Sequence, residues 1–233
     1  MTRQISPPPT RLLLGEVRGA FEPARLLLRA PLLATLPRGR GELVMLLPGY
    51  GAGDASTAVL QGFLRLLGYN AFGWGLGRNT GKVDRLLPLV LEHLDEIDPD
   101  RQVHLVGWSL GGYIARETAR ERPDRVRSVI TLGSPVIGGP KYTTVAERYR
   151  SQGIDLDELE RLVDARYDTP LTTPVTAVYS RADGIVAWEA CIDRRSPGIE
   201  HVEVATTHIG LGFSPEVYRI IADRLARHCA PRH

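Results

Sequence analysis

A chain of 233 residues, 43% hydrophobic and 24% charged, suits one globular domain and excludes a disordered or collagen-like composition. A net charge of +2 is too small to mark a nucleic-acid partner, and no stretch approaches the roughly 18 to 20 apolar residues that a membrane-spanning helix needs. The charge is uneven: seven Arg and two Glu give residues 1–40 a balance of +5 and leave −3 for the rest, which we read as a solvated rim on packed helices rather than a membrane-surface contact.

Taken in order, residues 1–10 contain Pro7-Pro8-Pro9 and predict an extended or disordered lead-in. From Arg11 to Leu36, leucine-rich patches interrupted by Pro23, Pro31 and Pro37 predict one or two short helices, so residues 1–36 are set against a main domain over 37–233. The segment RLLLRAPLLATL is broken by Arg29 and Pro31 and lies too far into the chain for a signal peptide. Leu43–Leu47 is a continuous apolar run, as expected of a parallel strand covered on both faces. It ends in Pro48-Gly49-Tyr50-Gly51-Ala52-Gly53-Asp54, after which Asp54 and Ser56 are expected to cap a helix running to about Leu67.

Tyr69 to Trp74 predicts a second strand, followed by GLGRNTG, in which Arg78 either braces the loop or meets a substrate carboxylate. Val83 to Ile97 is a helix with Leu86, Leu87, Val90, Leu91 and Leu94 on one stripe. Val103, Leu105 and Val106 form a third strand, and Ile114, Ala115, Thr118 and Ala119 form the stripe of the following helix. Val126–Leu132, Val175–Tyr179 and His201–Ala205 complete the strands, with a terminal helix over Pro215–His228. Alternating strands and helices predict an α/β fold, a doubly wound, mostly parallel sheet of about six strands.

The region Pro140–Thr173 breaks the alternation and carries helical pieces near Thr144–Arg150 and Leu156–Arg166. Residues 136–173 are too long for an ordinary connection and predict a small helical cap over the functional edge. On it, Leu156, Leu159, Leu162 and Val163 are expected to share an apolar face while Asp157, Glu158, Glu160 and Arg161 stay wet. Tyr142 and Leu159 are the candidates for setting substrate choice. Crossover structure packed on the body is the alternative.

Between the third strand and its helix, Gly107-Trp108-Ser109-Leu110-Gly111 matches G-x-S-x-G, a sharp turn that exposes a serine hydroxyl. Such a hydroxyl is a weak nucleophile until a base takes its proton and a carboxylate orients that base. Functional groups in an open parallel sheet gather beyond the carboxyl ends of its strands. Asp183 lies just past the fifth strand and His208 just past the sixth. Asp168, Asp193 and Glu189 are rivals for the acid, while His93, His104, His201, His228 and His233 are less well placed as the base. The N–H groups of Leu110 and Tyr50, with Gly51 as the fallback, are the expected oxyanion donors. Trp74, Trp108 and Trp188 flank strand ends and line an acyl pocket or fill the core. Cys191 and Cys229 sit in no metal-ligand or C-x-x-C spacing, which predicts two free thiols, no metal and a cytoplasmic setting, with a disulfide as the alternative.

The segments PRGRGELVMLLPGYGAGDAST, GWGLGRNTG, HLVGWSLGGYIARE, VITLGSP, VYSRADGIVAW and THIGL together resemble a bacterial α/β-hydrolase family of serine esterases and lipase-like proteins, over about residues 37–228. The resemblance implies that fold, a cytoplasmic or membrane-peripheral location and hydrolysis of a small-molecule carboxylic ester. With Ser109, Asp183 and His208 in that order, the reading is a cofactor-free serine hydrolase. Thioester hydrolysis, acyl transfer on the same residues, and a non-catalytic binding protein are the alternatives. The chain departs from lipases in two respects: the segment after Pro135 is short for a lid, and no histidine precedes Gly49.

Overall fold

The structure, a computed structural model, describes residues 5–229, so the start of the proline-rich lead-in and the tail candidate His233 lie outside the described residues. The strands are Leu43–Leu47 (β1), Asn70–Gly73 (β2), Val103–Trp108 (β3), Val126–Leu132 (β4), Val175–Tyr179 (β5) and Ile199–Glu203 (β6). The helices are Thr10–Gly15 (α1), Glu22–Leu33 (α2), Ala58–Leu66 (α3), Val83–Glu96 (α4), Leu110–Glu121 (α5), Ala146–Ser151 (α6), Leu156–Ala165 (α7), His208–Leu211 (α8) and Pro215–Cys229 (α9). The strands pair in the order β2-β1-β3-β4-β5-β6, every pair parallel. This is the doubly wound parallel sheet expected from the alternation.

The period-2 rule divides the core. Val44 and Leu46 of β1 join Val106, Ile130, Leu132 and Val178 beneath Leu60 and Leu64 of α3 and Val217, Ile221 and Leu225 of α9. Leu43, Met45 and Leu47 point the other way, joining Leu105, Val129 and Val175 beneath Val90 and Leu94 of α4 and Ile114 and Ala119 of α5. Both faces of β1 are therefore dry, which is why its sequence is an unbroken apolar run.

The chain steps from β1 outward to β2 and then returns to the opposite side of β1 to form β3. That reversal opens a crevice beyond the carboxyl ends of β1 and β3, where ligands bind in open α/β sheets. The loop Pro48–Asp54 and the serine turn both emerge there.

Several local expectations are corrected. Asp54 does not cap a helix through its side chain; the helix is preceded by a 3-10 turn over Asp54–Thr57, and the Asp54 carboxylate instead accepts the N–H groups of Trp74 and Gly75, at 3.0 and 3.2 Å. Ser56 Oγ donates to the Gly53 carbonyl. Pro31 does not interrupt α2, because it falls in the last turn, on the exposed side, where the missing N–H costs one bond while Leu26 and Leu33 hold the helix to the core. β6 begins two residues earlier than expected and carries His201 at its centre; as an edge strand it is only half-buried, so its pattern in sequence is weak.

Candidate active site

Ser109 is the only non-glycine among the described residues with positive φ, at φ 54° and ψ −125°. Its N–H donates to the Leu132 carbonyl at 2.7 Å and its carbonyl accepts Gly112 N–H at 2.9 Å, so bonds on both sides hold the turn. Glycine at 111 is sterically required, because a Cβ there would collide with the Leu47 carbonyl oxygen; one at 107 would collide with Gly111 and Gly112. The turn thus lies directly on β1. α5 starts at the next residue, aiming the positive end of its dipole at the serine.

His208 opens α8, and its Nδ1 lies 2.6 Å from Asp183 Oδ2, both side chains buried. A carboxylate accepts only, so Nδ1 carries the proton and Nε2 is left as the acceptor. Asp183 is itself fixed: Oδ1 accepts the N–H groups of Ile185 and Val186, at 2.8 and 2.7 Å. Burial pulls the His208 pKa down, but the charge and hydrogen bond of Asp183, with a smaller contribution from Glu16, outweigh it and the net direction is up. The rival acids lie elsewhere. Asp193 is paired with Arg116, Glu189 sits on the 3-10 turn Trp188–Cys191, and Asp168 ends the turn Arg166–Asp168.

Ser109 and His208 line one cavity of about 270 Å³, together with Gly49, Tyr50, Trp108, Leu110, Ile185 and Val186. Residues Pro140, Thr143, Val145 and Tyr149 of the 136–173 segment close its other side. A Cβ on Gly49 would lie 3.3 Å from Ser109 Cβ, so the β1 loop touches the serine. Asn79, fully buried and passed over in the sequence, braces that loop: its Nδ2 donates to the Pro48 carbonyl at 2.9 Å and its carbonyl accepts Gly51 N–H at 2.7 Å. The fallback donor Gly51 is therefore already engaged. Arg78 Nε donates to the Gly51 carbonyl at 2.7 Å, which is the bracing role.

The aromatic candidates separate. Trp108 lines the cavity and its indole N–H donates to the His208 carbonyl at 3.2 Å. Trp74 is fully buried in the core beneath α4, with its indole N–H donating to the Gly77 carbonyl. Trp188 stacks on Tyr179 under the Arg181 guanidinium. The Tyr142 hydroxyl donates to Glu160 at 2.6 Å, and Leu159 faces an adjoining groove of about 730 Å³ instead of the serine cavity. Glu160 is thus bonded and only partly exposed, while Leu162 is exposed; α7 buries Leu156 and Val163. Among the described residues no group of three or more His, Cys, Asp or Glu side chains could hold a metal ion, no helix is long and apolar enough to cross a membrane, and Cys191 and Cys229 are free thiols.

Residues 89–168 match a family described as the alpha/beta hydrolase fold. A pimeloyl-(acyl-carrier protein) methyl ester esterase of Aeromonas hydrophila is 35% identical over 100 residues, covering 41% of this chain and 39% of the relative. The corresponding esterase of Aeromonas salmonicida is 33% identical, again over 39% of its length, so the chain spans about two-fifths of these curated relatives. Among solved structures, a monoacylglycerol lipase of Paleococcus ferrophilus superposes with a TM-score of 0.63 at 17% identity, over 83% of this chain and 97% of that one. Est1E of Butyrivibrio proteoclasticus gives 0.63 at 14% identity, over 84% and 93%. The sequence match falls on the strand, serine turn and helix at the sheet's reversal point, and the structural neighbours share the sheet itself: the chain has the α/β-hydrolase fold.

Proposed function

We propose that this protein hydrolyses carboxylic esters through an acyl-enzyme on Ser109. The observation that carries the reading is the shared cavity, in which a serine with left-handed backbone and a histidine with Nδ1 held by a buried carboxylate face the same space. In the first step His208 Nε2 takes the Ser109 proton as Oγ attacks the ester carbonyl carbon. The oxyanion is held by the N–H groups of Tyr50 and Leu110, backed by the α5 dipole. The imidazolium, stabilised by Asp183, protonates the leaving alcohol, and the acyl-enzyme forms. Water, deprotonated by the same nitrogen, attacks the acyl carbonyl and restores the serine. The curated relatives are named for methyl esters on an acyl-carrier protein, and a small, largely apolar cavity suits a short or medium acyl group on this chain.

The test pairs a fluorophosphonate label with graded p-nitrophenyl esters and the matching thioesters. Labelling of the wild type that Ser109→Ala abolishes, with ester turnover lost by several orders of magnitude, is the expected result. Equal labelling of the two proteins, or turnover kept above about a tenth of wild type in Ser109→Ala, overturns the mechanism. A thioester rate far above the ester rate moves the substrate class without moving the residues.

A further inference from the structure

The N-terminal segment delivers a buried carboxylate to the site from the opposite end of the sequence. Glu16 begins the 3-10 turn Glu16–Phe21, is 6% exposed, and accepts three backbone N–H groups. Its Oε1 takes Gly184 at 2.7 Å and His208 at 3.0 Å, and its Oε2 takes Ile209 at 2.9 Å. Gly184 follows Asp183, so one carboxylate ties the acid's loop to the first turn of the histidine's helix. The approach is close on both sides: a Cβ on Gly184 would collide with the Leu12 carbonyl oxygen, and a Cβ on Gly19 would lie 2.7 Å from Thr207 Oγ1. Glu22 adds a further bond to the same loop, accepting Thr206 Oγ1 at 3.0 Å.

We propose that Glu16 is a positioning residue for the Asp183–His208 pair, fixing the separation of the two loops and placing a negative charge behind the imidazole. The proposal rests on the hydrolase reading of Ser109, Asp183 and His208. Geometry explains why the role falls to this residue. Asp183 holds only the ring of His208, through Nδ1; the backbone from which that ring swings is held at its N–H by Glu16 and at its carbonyl by the Trp108 indole, and of the two only Glu16 also holds the Asp183 loop. A sub-ångström drift of either loop would lengthen the 2.6 Å Asp–His bond and misdirect Nε2, and reaction rates fall steeply with such misplacement. The charged groups acting on His208 are Asp183 and Glu16; burial lowers its pKa, and these two carboxylates, Asp183 the more strongly, raise it.

Two variants test this. Glu16→Gln keeps the shape but turns an amide NH₂ towards one of the three N–H donors, and Glu16→Ala removes both acceptor oxygens and so all three bonds. The expected result is a kcat lowered about tenfold in Glu16→Gln and about a hundredfold in Glu16→Ala, with KM changed by less than about twofold. The acid limb of the kcat/KM profile should also move to lower pH in Glu16→Gln, a shift that a purely structural residue would not cause. If Glu16→Ala does not fold, the isosteric Glu16→Gln carries the test alone. A kcat within about twofold of wild type and an unmoved acid limb in folded Glu16→Gln overturn the proposal, provided Ser109→Ala is dead in the same assay. Turnover kept by Ser109→Ala overturns the hydrolase reading, and the proposal with it.

Discussion

Arg116 and Asp193 form a buried ion pair that ties α5 to the chain beyond β5, with side chains 2% and 0% exposed. Asp193 Oδ1 also accepts the N–H groups of Arg195 and Ser196, at 2.8 and 3.0 Å. Burial alone would raise the carboxyl, but Arg116 and these donors hold it at about 2. A folded pKa below the unfolded value means stabilisation that is complete above about pH 4 and lost as pH falls towards about 2. Asp193→Asn leaves a buried guanidinium uncompensated and should cost about 3 to 5 kcal/mol at neutral pH. The stability gap between wild type and variant, measured by denaturant titration, should narrow between pH 5 and pH 2.5. A gap that stays constant through that window would falsify the argument.

Asp183 is predicted to behave in the opposite way. Asn at 183 can keep its carbonyl on the Ile185 and Val186 N–H groups, so stability should change little. Its amide would face His208 Nδ1 and favour the wrong tautomer, lowering kcat by about 10³ to 10⁴. Because the His208 pKa is raised, the acid limb of kcat/KM in the wild type should lie above the ordinary histidine value of 6.5, with activity lost as pH falls through it. An Asp183→Asn enzyme with kcat within tenfold of wild type, or an acid limb below that value, would count against the assignment.

The contrast between these two aspartates marks how far the sequence could be read. The buried strands were legible because β1 is dry on both faces and appears as an unbroken apolar run, and β3 and β4 are nearly so, with their apolar residues interrupted only at a few positions such as His104 and Arg127. The serine turn was legible because its glycines are demanded by contacts within a few residues. Choosing Asp183 over Asp193 depends on a contact 25 residues away in one case and 77 in the other. Asp54 looked like a local cap because local rules assign Asp before a helix that way, whereas its carboxylate serves the loop after β2. Asn79 makes one local turn bond, from Gly81 N–H to its Oδ1, but the Pro48 and Gly51 contacts that give it its role, like the contacts of Glu16, are brought to it only by the closed fold.

Ser109 should carry measurable backbone strain. A serine at φ 54° costs about 1 to 3 kcal/mol relative to an unstrained residue, and glycine tolerates that region. Glycine's larger unfolded-state entropy offsets part of the relief, by about 0.5 to 1 kcal/mol. Ser109→Gly should therefore be inactive yet at least as stable as Ser109→Ala, which keeps the Cβ and the strain. Thermal melts of the two inactive variants decide the point, and a Ser109→Gly protein clearly less stable than Ser109→Ala would show that the turn is not strained.

The segment 136–173 is proposed as a cap that sets substrate choice. Its first half is tied to the Asp183 loop: Val136 and Ile137 N–H groups donate to the Ala190 carbonyl, Thr144 N–H to Ile185, and Ala187 N–H to Tyr142. That stitching places Val145 and Tyr149 on the serine cavity, and the Tyr149 ring lies 5.5 Å from the ring of Tyr50, the proposed oxyanion residue. α7 lies farther out, so Leu159, the choice suggested by helical periodicity, borders the neighbouring groove. Specificity should follow the cavity wall. Val145→Ala enlarges the pocket by two methyl groups and should shift the optimum on graded p-nitrophenyl esters towards longer acyl chains, changing relative kcat/KM by about 10-fold or more per methylene-sized step. Tyr149→Phe removes only a hydroxyl and should leave the profile alone. Leu159→Ala should leave it alone as well, at a modest cost in stability for a half-buried leucine. A chain-length profile moved by Leu159→Ala and untouched by Val145→Ala would transfer substrate selection to the outer groove and remove the cavity wall from this role.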